Sequence, residues 1–304
     1  MKVFLAGATG AIGRPLVPAL LAAGHEVTGM TRSTTSAAAL TAAGANGIVV
    51  DAFDEPAVRA AITAAAPDVL LHQLTALPKS GGARAFAKGL ALTARLRRET
   101  VPVMLDAAAQ AGASRAIVQS ISFITKPDGR PIHDERDPIW TDAPDQETAA
   151  TMQAVAEMEA AVAASPLEGV VLRYGFFYGP GTAWAADGPL GKMLRWRVNP
   201  VIGSGQGRSS YIHIDDAVAA TVQALDHGSP GVYNICEPDP QPAAVSLRAM
   251  AAALGAGPPR HLREGIARRL APFALIHYST TLPGNSNARA MAELDWTPQH
   301  RWPA

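Results

Sequence analysis

The chain has 304 residues, of which 48% are hydrophobic and 17% are charged, and its 26 basic residues balance its 26 acidic ones. This composition excludes intrinsic disorder, and a net charge of zero offers no field that attracts nucleic acid or an anionic membrane. The single cysteine, Cys236, excludes an intramolecular disulfide and a cysteine-based zinc site. No apolar run approaches the roughly 20 residues that span a bilayer. The first predicted strand begins at Lys2 and leaves no room for a signal peptide, so we expect a cytoplasmic protein.

Short apolar runs alternate with helical patterns through the first half of the chain. The apolar runs of the predicted strands are 3–6, 26–30, 47–50, 69–72, 115–119 and 169–172, and helical patterns cover 12–24, 54–65 and 83–111. Such alternation favours a parallel sheet with helices on both of its faces. The predicted fold class is therefore α/β, a Rossmann-type doubly wound parallel sheet with a smaller C-terminal substrate lobe.

Glycine and proline concentrate in the second half, where they mark loops between fewer regular elements. A strand is predicted at 211–213, a helix at 215–225 and a further strand at 232–235. We expect residues 1–175 to form a dinucleotide-binding Rossmann domain, to which residues 208–236 return. Residues 176–207 and 237–304 are expected to form the smaller substrate-binding lobe.

The segment between the first strand and the first helix carries three glycines, in the run Gly7-Ala8-Thr9-Gly10-Ala11-Ile12-Gly13. Gly7 permits a tight turn, Gly10 lets the backbone approach a pyrophosphate, and Gly13 permits close packing of the helix on the strand. The N–H groups and the positive dipole at the start of the helix favour phosphate. In this strand–turn–helix context the spacing predicts a dinucleotide site, and glycines that serve only the turn are the structural alternative.

The end of the second strand selects between the two nicotinamide cofactors. A carboxylate there binds the ribose 2′-hydroxyl of NAD, whereas an arginine accommodates the 2′-phosphate of NADP. The run Met30-Thr31-Arg32-Ser33 has no carboxylate, so Arg32 and Ser33 are predicted to hold this phosphate, with Arg14 adding positive charge. NADP(H) is therefore favoured, and NAD(H) stays open because a solvated surface arginine would give the same pattern.

Four further residues follow the ends of later strands and complete the predicted cofactor contacts. Asp51 and Ala52 follow the third strand, where the Asp51 carboxylate either accepts a hydrogen bond from the adenine amino group or caps the strand end. Leu74 and Thr75 follow the fourth strand, where Thr75 either lies near the cofactor ribose or is an ordinary loop hydroxyl.

Several motifs together resemble a known family. The run GATGAIG at 7–13 is similar to the fingerprint of extended and atypical short-chain dehydrogenases/reductases, the NAD-dependent epimerase/dehydratase group. The resemblance continues in the family's order through HQLT at 72–75, LRYGFFYGPG at 172–181, YIHIDD at 211–216, VYNI at 232–235 and the segment 287–298. It implies the Rossmann-type fold, a nicotinamide dinucleotide cofactor and hydride chemistry.

The acid–base residues that this resemblance implies are missing from the chain. The family uses Ser or Thr together with a Tyr-x-x-x-Lys pair, whose lysine lowers the pKa of the phenol. None of the five tyrosines is followed by a lysine four residues later. Alignment on Glu159 places Thr151 and Val155 at the two positions, and Leu96 lies near the place of the family's helix-four asparagine.

Serines and tyrosines at the expected sheet edge are the substitutes that the sequence offers. Ser120 and Ser122 lie at the end of the fifth strand, where a spacing of two puts them on one face of an extended chain that faces either the cleft or the core. They either hydrogen-bond a substrate carbonyl or satisfy backbone groups. Tyr174 and Tyr178 lie in the loop after the sixth strand, where each phenol either protonates an alkoxide or anchors the loop. His213 is interpreted as structural, and no pairing of histidines indicates a metal.

The predicted substrate lobe contains a set of apolar and aromatic residues: Phe176, Phe177, Trp184, Met193, Leu194 and Trp196. A small, fairly apolar carbonyl-type substrate fits such a lobe, and a core or a dimer face is the alternative use of these residues. Arg208 stands three residues before Tyr211, a shift that argues against a nucleotide-sugar substrate. Asp106 and the apolar face of helix four would suit a homodimer, and no nucleic-acid or membrane partner is expected.

Three functions remain open from the sequence. The favoured one is an NADP(H)-dependent reductase with a non-standard proton donor. The others are an isomerase, dehydratase or cyclase on the same scaffold, and a catalytically silent NADP(H)-sensing protein.

Overall fold

A computed structural model describes residues 1–78 and 82–302. Its strands in chain order are β1 (Lys2–Ala6), β2 (Glu26–Thr31), β3 (Asn46–Val49), β4 (Val69–His72), β5 (Arg115–Ile121), β6 (Ile132–His133), β7 (Glu168–Tyr174), β8 (Phe176–Tyr178), β9 (Val201–Ile202), β10 (Tyr211–His213), β11 (Gly231–Ile235), β12 (His261–Leu262) and β13 (Gly284–Asn285). Its helices are α1 (Gly13–Ala22), α2 (Thr34–Ala42), α3 (Glu55–Ala65), α4 (Gly82–Arg95), α5 (Val101–Gln110), α6 (Gln146–Ala164), α7 (Pro189–Arg195), α8 (Ile214–Gln223), α9 (Ala243–Ala253), α10 (Glu264–Leu270), α11 (Phe273–Thr280) and α12 (Ala288–Glu293). A π turn, Leu96–Thr100, joins α4 to α5.

Seven parallel strands form the central sheet, in the order β11-β7-β5-β4-β1-β2-β3. The chain runs from β1 outward to β3, then crosses to β4 and continues in the opposite direction to β11. Strands β1 and β4 therefore flank the point where the strand order reverses, and ligands of such sheets bind in the crevice at the carboxyl ends there. The predicted Rossmann-type α/β fold is confirmed.

Apolar side chains cover both faces of the central sheet. Helices α1 and α8 pack on the face that includes Leu5, and helices α3, α5 and α6 pack on the face that includes Phe4. Because strands of a parallel sheet are buried on both faces, they read as short continuous apolar runs, which is why the sequence identified them. Because both faces are apolar, the polar groups of the site lie at the carboxyl ends of the strands.

Two elements of the first half differ from the sequence prediction. Helix α2 was not predicted, because its residues, TTSAAALTA, are small and give no apolar periodicity. The predicted single helix over 83–111 is two helices joined by the π turn, in which the regular hydrogen-bonding pattern is interrupted. Both differences fall next to predicted site residues.

The second half adds three small two-stranded sheets. These pair β8 with β10, β9 with β12 and β6 with β13, all in parallel. Strand β11 returns to the central sheet, whereas β10 pairs outside it. The division into a Rossmann domain and a substrate lobe stays a prediction. None of the described helices is long and apolar enough to cross a membrane.

Candidate active site

The glycine-rich loop connects β1 to α1 at the strand-order reversal. Gly7 has φ +97°, and a Cβ there would lie 2.7 Å from the Gln73 carbonyl carbon. A Cβ on Gly13 would lie 2.1 Å from the Gly7 carbonyl oxygen, so both positions require glycine for close backbone packing. A Cβ on Gly10 would meet only the Gly7 oxygen, at 3.3 Å. Gly10 therefore has an open side, from which a ligand can approach the backbone.

The start of α1 is suited to an anion. Ile12 occupies the N-cap position and provides no side-chain hydrogen bond, and the first turn has no acidic residue. The first amide N–H groups of a helix have no partner inside the helix and must bond elsewhere. Thr9 is half-buried and Ala11 is exposed beside them. This loop therefore fits the diphosphate of a dinucleotide.

Helix α2 starts directly after the residues predicted to select the cofactor. Ser33 is its N-cap, with Oγ accepting a hydrogen bond from the Ser36 N–H at 3.3 Å. Arg32 is exposed, and it makes no ion pair within residues 1–78 and 82–302. The first turn of α2 has no acidic residue. Arg32 thus stands beside a helix start that itself favours an anion.

The remaining predicted cofactor residues lie beyond the ends of β3 and β4. The Asp51 carboxylate accepts a hydrogen bond from the Phe53 N–H at 3.0 Å and is otherwise exposed, while Ala52 is buried. Leu74 is half-buried and Thr75 is exposed in the segment after β4. Their contacts with a cofactor stay predictions.

The two serines at the carboxyl end of β5 have different surroundings. The Ser120 hydroxyl donates to Glu159 Oε1 at 2.8 Å, and the same carboxylate pairs with the Arg173 guanidinium at 2.6 and 2.9 Å. Ser122 is 1% exposed, and its hydroxyl has no hydrogen-bond partner among the described residues. A buried hydroxyl without a partner loses its hydrogen bonds to water on folding, which makes Ser122 the better candidate for ligand contact.

Helix α6 carries the positions of the missing acid–base pair. The Thr151 hydroxyl donates to the Glu147 carbonyl oxygen of its own helix at 3.0 Å. Val155 is fully buried in a small cluster with Ile124 and Met152. Neither residue has a side chain that transfers a proton near neutral pH.

Tyr174 is the last residue of β7, and its ring is packed in the core. The residue is 1% exposed, and its hydroxyl is 2.7 Å from Thr221 Oγ1 and 3.4 Å from Gln73 Nε2. Burial raises the pKa of this phenol. A proton donor must reach the substrate, and this hydroxyl lies instead among core side chains.

Tyr178 ends β8 and contacts aromatic residues of the second half. Its ring packs edge-on against His213 and Trp302, and the three residues line a pocket of about 450 Å³. The hydroxyl is buried without a hydrogen-bond partner in the part of the chain described, although burial and the nearby Glu237 carboxylate raise its pKa. A raised pKa makes Tyr178 a weaker acid than an ordinary phenol.

The structure gathers a group of possible metal ligands that the sequence did not predict. His213, Asp215 and His300 offer ligand atoms within 4.8 Å of one another. His213 Nδ1, however, accepts from the Asp215 N–H at 3.3 Å, and His300 Nδ1 lies 3.1 Å from the Asp216 carboxylate. His213 Nδ1 is thus engaged by its own helix, whereas His300 Nδ1 is buried and lies near the Asp216 carboxylate without a hydrogen bond among the described residues.

The residues predicted to line the substrate lobe do not form one surface. Leu194 is in the core, whereas Trp196 is 73% exposed. Phe176 stacks on Phe123 with ring centroids 4.1 Å apart, and Tyr278 packs edge-on against both rings. Phe123 follows Ser122 directly in the chain, so the aromatic group and the unpartnered hydroxyl belong to neighbouring residues.

Comparison with family models matches residues 3–236 to the NAD dependent epimerase/dehydratase family. The chain belongs to this family. A curated relative, named 3-diazoavenalumate denitrifying reductase, from a Streptomyces species, is 44% identical over 302 residues, which cover 99% of this chain and 97% of the relative.

Solved structures of epimerases share the fold at low sequence identity. The UDP-glucose 4-epimerase of Thermotoga maritima with UDP-glucose has a TM-score of 0.74 and 18% identity, covering 99% of this chain and 94% of its own. The human epimerase family protein SDR39U1 with NADPH has a TM-score of 0.73 and 22% identity, covering 98% of this chain and 95% of its own.

Family membership confirms the resemblance inferred from the motifs. It also confirms the expected enzyme class, an NAD(P)-dependent oxidoreductase, with a nicotinamide dinucleotide as cofactor. The loop from Gly7 to Gly13 and the uncapped start of α1 fit this cofactor on geometric grounds.

One buried residue next to the site was missed by the sequence reasoning. Arg97 lies on the π turn and is 5% exposed. It shares a helical stripe with Thr93, Thr100 and Met104, all of which are buried. The sequence could have identified Arg97 because it places an arginine on a helical stripe where apolar side chains are expected.

Proposed function

We propose that this protein is an NADP(H)-dependent reductase of a small aromatic substrate, in which no tyrosine–lysine pair takes part. The observation that carries the proposal is the pair Thr151 and Val155, one bonded to its own helix and one fully buried. Reduction of a ketone would leave an alkoxide that needs a proton. A substrate that expels a neutral group on reduction has no such need.

The diazo group in the relative's name is a group of this kind. Reduced nicotinamide supplies a hydride whose electron pair forms a new C–H bond, while the electron pair of the C–N bond leaves with neutral N₂. The substrate is reduced by two electrons, the cofactor is oxidised, and no acid is required at the reacting carbon. We therefore propose a diazo-type hydride acceptor in place of the carbonyl-type acceptor expected from the sequence.

The aromatic group at the end of β5 supports a planar substrate. Phe123, the residue after Ser122, stacks on Phe176 and contributes an apolar ring pair to this part of the chain. Aromatic rings favour offset or edge contacts with one another, at about 0.5–1.5 kcal/mol per pair. In our proposal the substrate ring lies against this group, with the Ser122 hydroxyl as its nearest hydrogen-bond donor.

Arg32 and Ser33 support NADP(H) over NAD(H). An exposed guanidinium at an uncharged helix start can make a charge-assisted contact with the 2′-phosphate. Thr9, Gly10, Ala11, Ile12, Asp51, Ala52, Leu74 and Thr75 are the other proposed cofactor contacts.

The deciding experiment uses NADPH that carries deuterium at the transferred position, with 3-diazoavenalumate as substrate. We expect N₂ release, loss of NADPH absorbance in equal amount, and one deuterium in the product at the carbon that carried nitrogen. A panel of ketones and enones serves as the comparison and should react far more slowly.

Three results would contradict the proposal. Deuterium from solvent in the product would exclude hydride transfer from the cofactor, and turnover without net NADPH loss would favour an isomerase, dehydratase or cyclase. Tight NADPH binding with no turnover of any substrate would favour a sensing protein.

A homodimer and a cytoplasmic location stay predictions. Asp106, which the sequence offers for the dimer, pairs with Arg59 of its own chain at 2.5 Å.

A further inference from the structure

The π turn Leu96–Thr100 is held between the end of β4 and helix α6. The Thr100 hydroxyl is 3.1 Å from His72 Nε2, at the last residue of β4. Arg98 pairs with Glu157 of α6 at 2.6 Å, and its Nη2 is 3.5 Å from the Ala150 carbonyl oxygen. The turn therefore lies at the height of residues 150–157, the stretch that contains the two missing acid–base positions.

Arg97 of this turn is a buried cation that the described residues leave without a partner. It is 5% exposed and makes no hydrogen bond or ion pair with the residues that the structure describes. Burial lowers its pKa to about 10, so the guanidinium stays charged at neutral pH. The neighbouring His72 has a pKa lowered to about 4 by burial and is neutral.

The nearest buried carboxylate already has its partners. Glu159 is close enough to influence the pKa of Arg97, but its oxygens bond to Arg173 and Ser120. The two buried guanidinium groups and the one carboxylate of this cluster carry a net charge of about +1. A buried charge without compensation is strongly destabilising, so Arg97 should lower the stability of the ligand-free protein.

We propose that Arg97 and Ser122 form an anion-binding subsite that holds an oxyanion of the substrate beside the reacting carbon. Ser122 lies two residues beyond Ser120, directly after the carboxyl end of β5, and its hydroxyl has no partner among the described residues. A guanidinium and a hydroxyl together recognise a carboxylate or a phenolate oxygen. The identity of this ligand as the substrate rests on the proposed function.

The test measures binding of three aromatic probes by calorimetry, with and without NADP⁺. The probes are 4-hydroxycinnamate, 4-methoxycinnamate, which keeps only the carboxylate, and methyl 4-hydroxycinnamate, which keeps only the phenol. We expect Arg97→Met to weaken the binding of at least one probe by roughly 10- to 100-fold. That probe is one of the two that carry a carboxylate, or the ionised form of the phenol probe. Arg97→Lys should restore part of the affinity, and Ser122→Ala should weaken the same probe by roughly 2- to 10-fold.

Arg98→Met is the matched control, because Arg98 lies on the same turn but is already paired with Glu157. Its probe affinities should equal those of the unchanged protein, and NADP⁺ affinity should be the same in all variants. Unchanged probe binding in Arg97→Met, or no binding of any probe by the unchanged protein, would overturn the subsite. A loss of NADP⁺ affinity in Arg97→Met would assign the residue to the cofactor instead.

Thermal unfolding separates a binding role from a structural one. If Arg97 has no partner in the ligand-free protein, Arg97→Met should keep or raise the melting temperature. A clear fall would show that Arg97 stabilises the fold and would overturn the proposal. Failure of the reductase proposal has a different signature, namely no turnover with NADPH while probe binding still depends on Arg97.

Discussion

Arg32 illustrates how one exposed side chain can set cofactor preference. Its guanidinium follows β2, next to the capped start of α2, and has no competing acid in the first turn of that helix. A 2′-phosphate offers it a charge-assisted contact, whereas the 2′-hydroxyl of NADH offers no charge.

Arg32→Ala should therefore weaken NADPH binding selectively. A charge-assisted hydrogen bond contributes about 1.5–3 kcal/mol, so the Kd for NADPH should rise roughly 10- to 100-fold while that for NADH changes by about twofold or less. Fluorescence titration with both cofactors measures this ratio.

Arg14→Ala provides the comparison, because Arg14 is exposed at the start of α1, on the diphosphate side. It should weaken both cofactors to the same extent. An equal loss of NADPH and NADH in Arg32→Ala would remove the NADP assignment.

Ser120 and Ser122 show that residue type and spacing leave a role undecided. Both hydroxyls are buried at the carboxyl end of β5, yet one bonds to Glu159 and the other has no partner among the described residues. The difference arises from α6, whose Glu159 is 39 residues away in the chain from Ser120. We therefore propose ligand contact for Ser122 only.

At the scale of elements, the turn between β1 and α1 combines two requirements on glycine. Gly7 and Gly13 are glycines because backbone atoms of the protein occupy the space of a Cβ. Gly10 has space on its outer side, where we place the diphosphate. The same loop thus contains glycines for packing and a glycine for binding.

Substitutions by alanine should separate these two uses. Gly13→Ala must displace the Gly7 carbonyl, 2.1 Å from the new Cβ, and should lower the free energy of unfolding by roughly 1–3 kcal/mol. Gly10→Ala should change the free energy of unfolding by less than about 1 kcal/mol, and yet it should weaken the binding of both nicotinamide cofactors by about tenfold or more. Urea unfolding and cofactor titration on both variants test the distinction, and normal binding by Gly10→Ala would move the diphosphate away from this loop.

Helix α2 and the π turn are the elements that the sequence prediction did not resolve. The first lacks apolar periodicity, because most of its residues are alanine, serine or threonine. The second has the composition of an ordinary helix, and its irregular hydrogen bonding is decided by packing against β4 and α6. π turns occur often at functional sites, in agreement with the role we propose for Arg97.

At the scale of the whole molecule, burial keeps two histidines neutral. His72 of β4 and His277 of α11 are 2% and 3% exposed, and desolvation lowers the pKa of each from 6.5 to about 4. The unfolded chain takes up protons between these values, whereas the folded protein does not. These groups therefore stabilise the folded state less and less as pH falls from 6.5 to about 4.

Each of these histidines should lower the free energy of unfolding by up to about 1.4 kcal/mol per pH unit across that window. His277→Gln should remove one such contribution and make the dependence on pH shallower, as measured by urea unfolding at several pH values. The exposed His227 provides the control variant, and its replacement by Gln should leave the slope unchanged. An identical slope in His277→Gln would show that His277 is protonated in the folded protein.

The sequence by itself determined the parallel sheet, the glycine-rich loop and the absence of a Tyr-x-x-x-Lys pair. Buried parallel strands are short apolar runs, and the turn from β1 to α1 is a local structure set by neighbouring residues, so both can be inferred without tertiary contacts. The family that these features resembled was confirmed by comparison.

Only the tertiary structure decided which polar side chains at the sheet edge have partners. Tyr174 bonds to Thr221 in the core, Ser120 bonds to Glu159, and Ser122 and Arg97 have no partner among the described residues. The cost of burying a polar group depends on the atoms that surround it, and these come from elements far apart in the chain. A sequence pattern names the residues at the edge, and folding determines which of them remain available to a substrate.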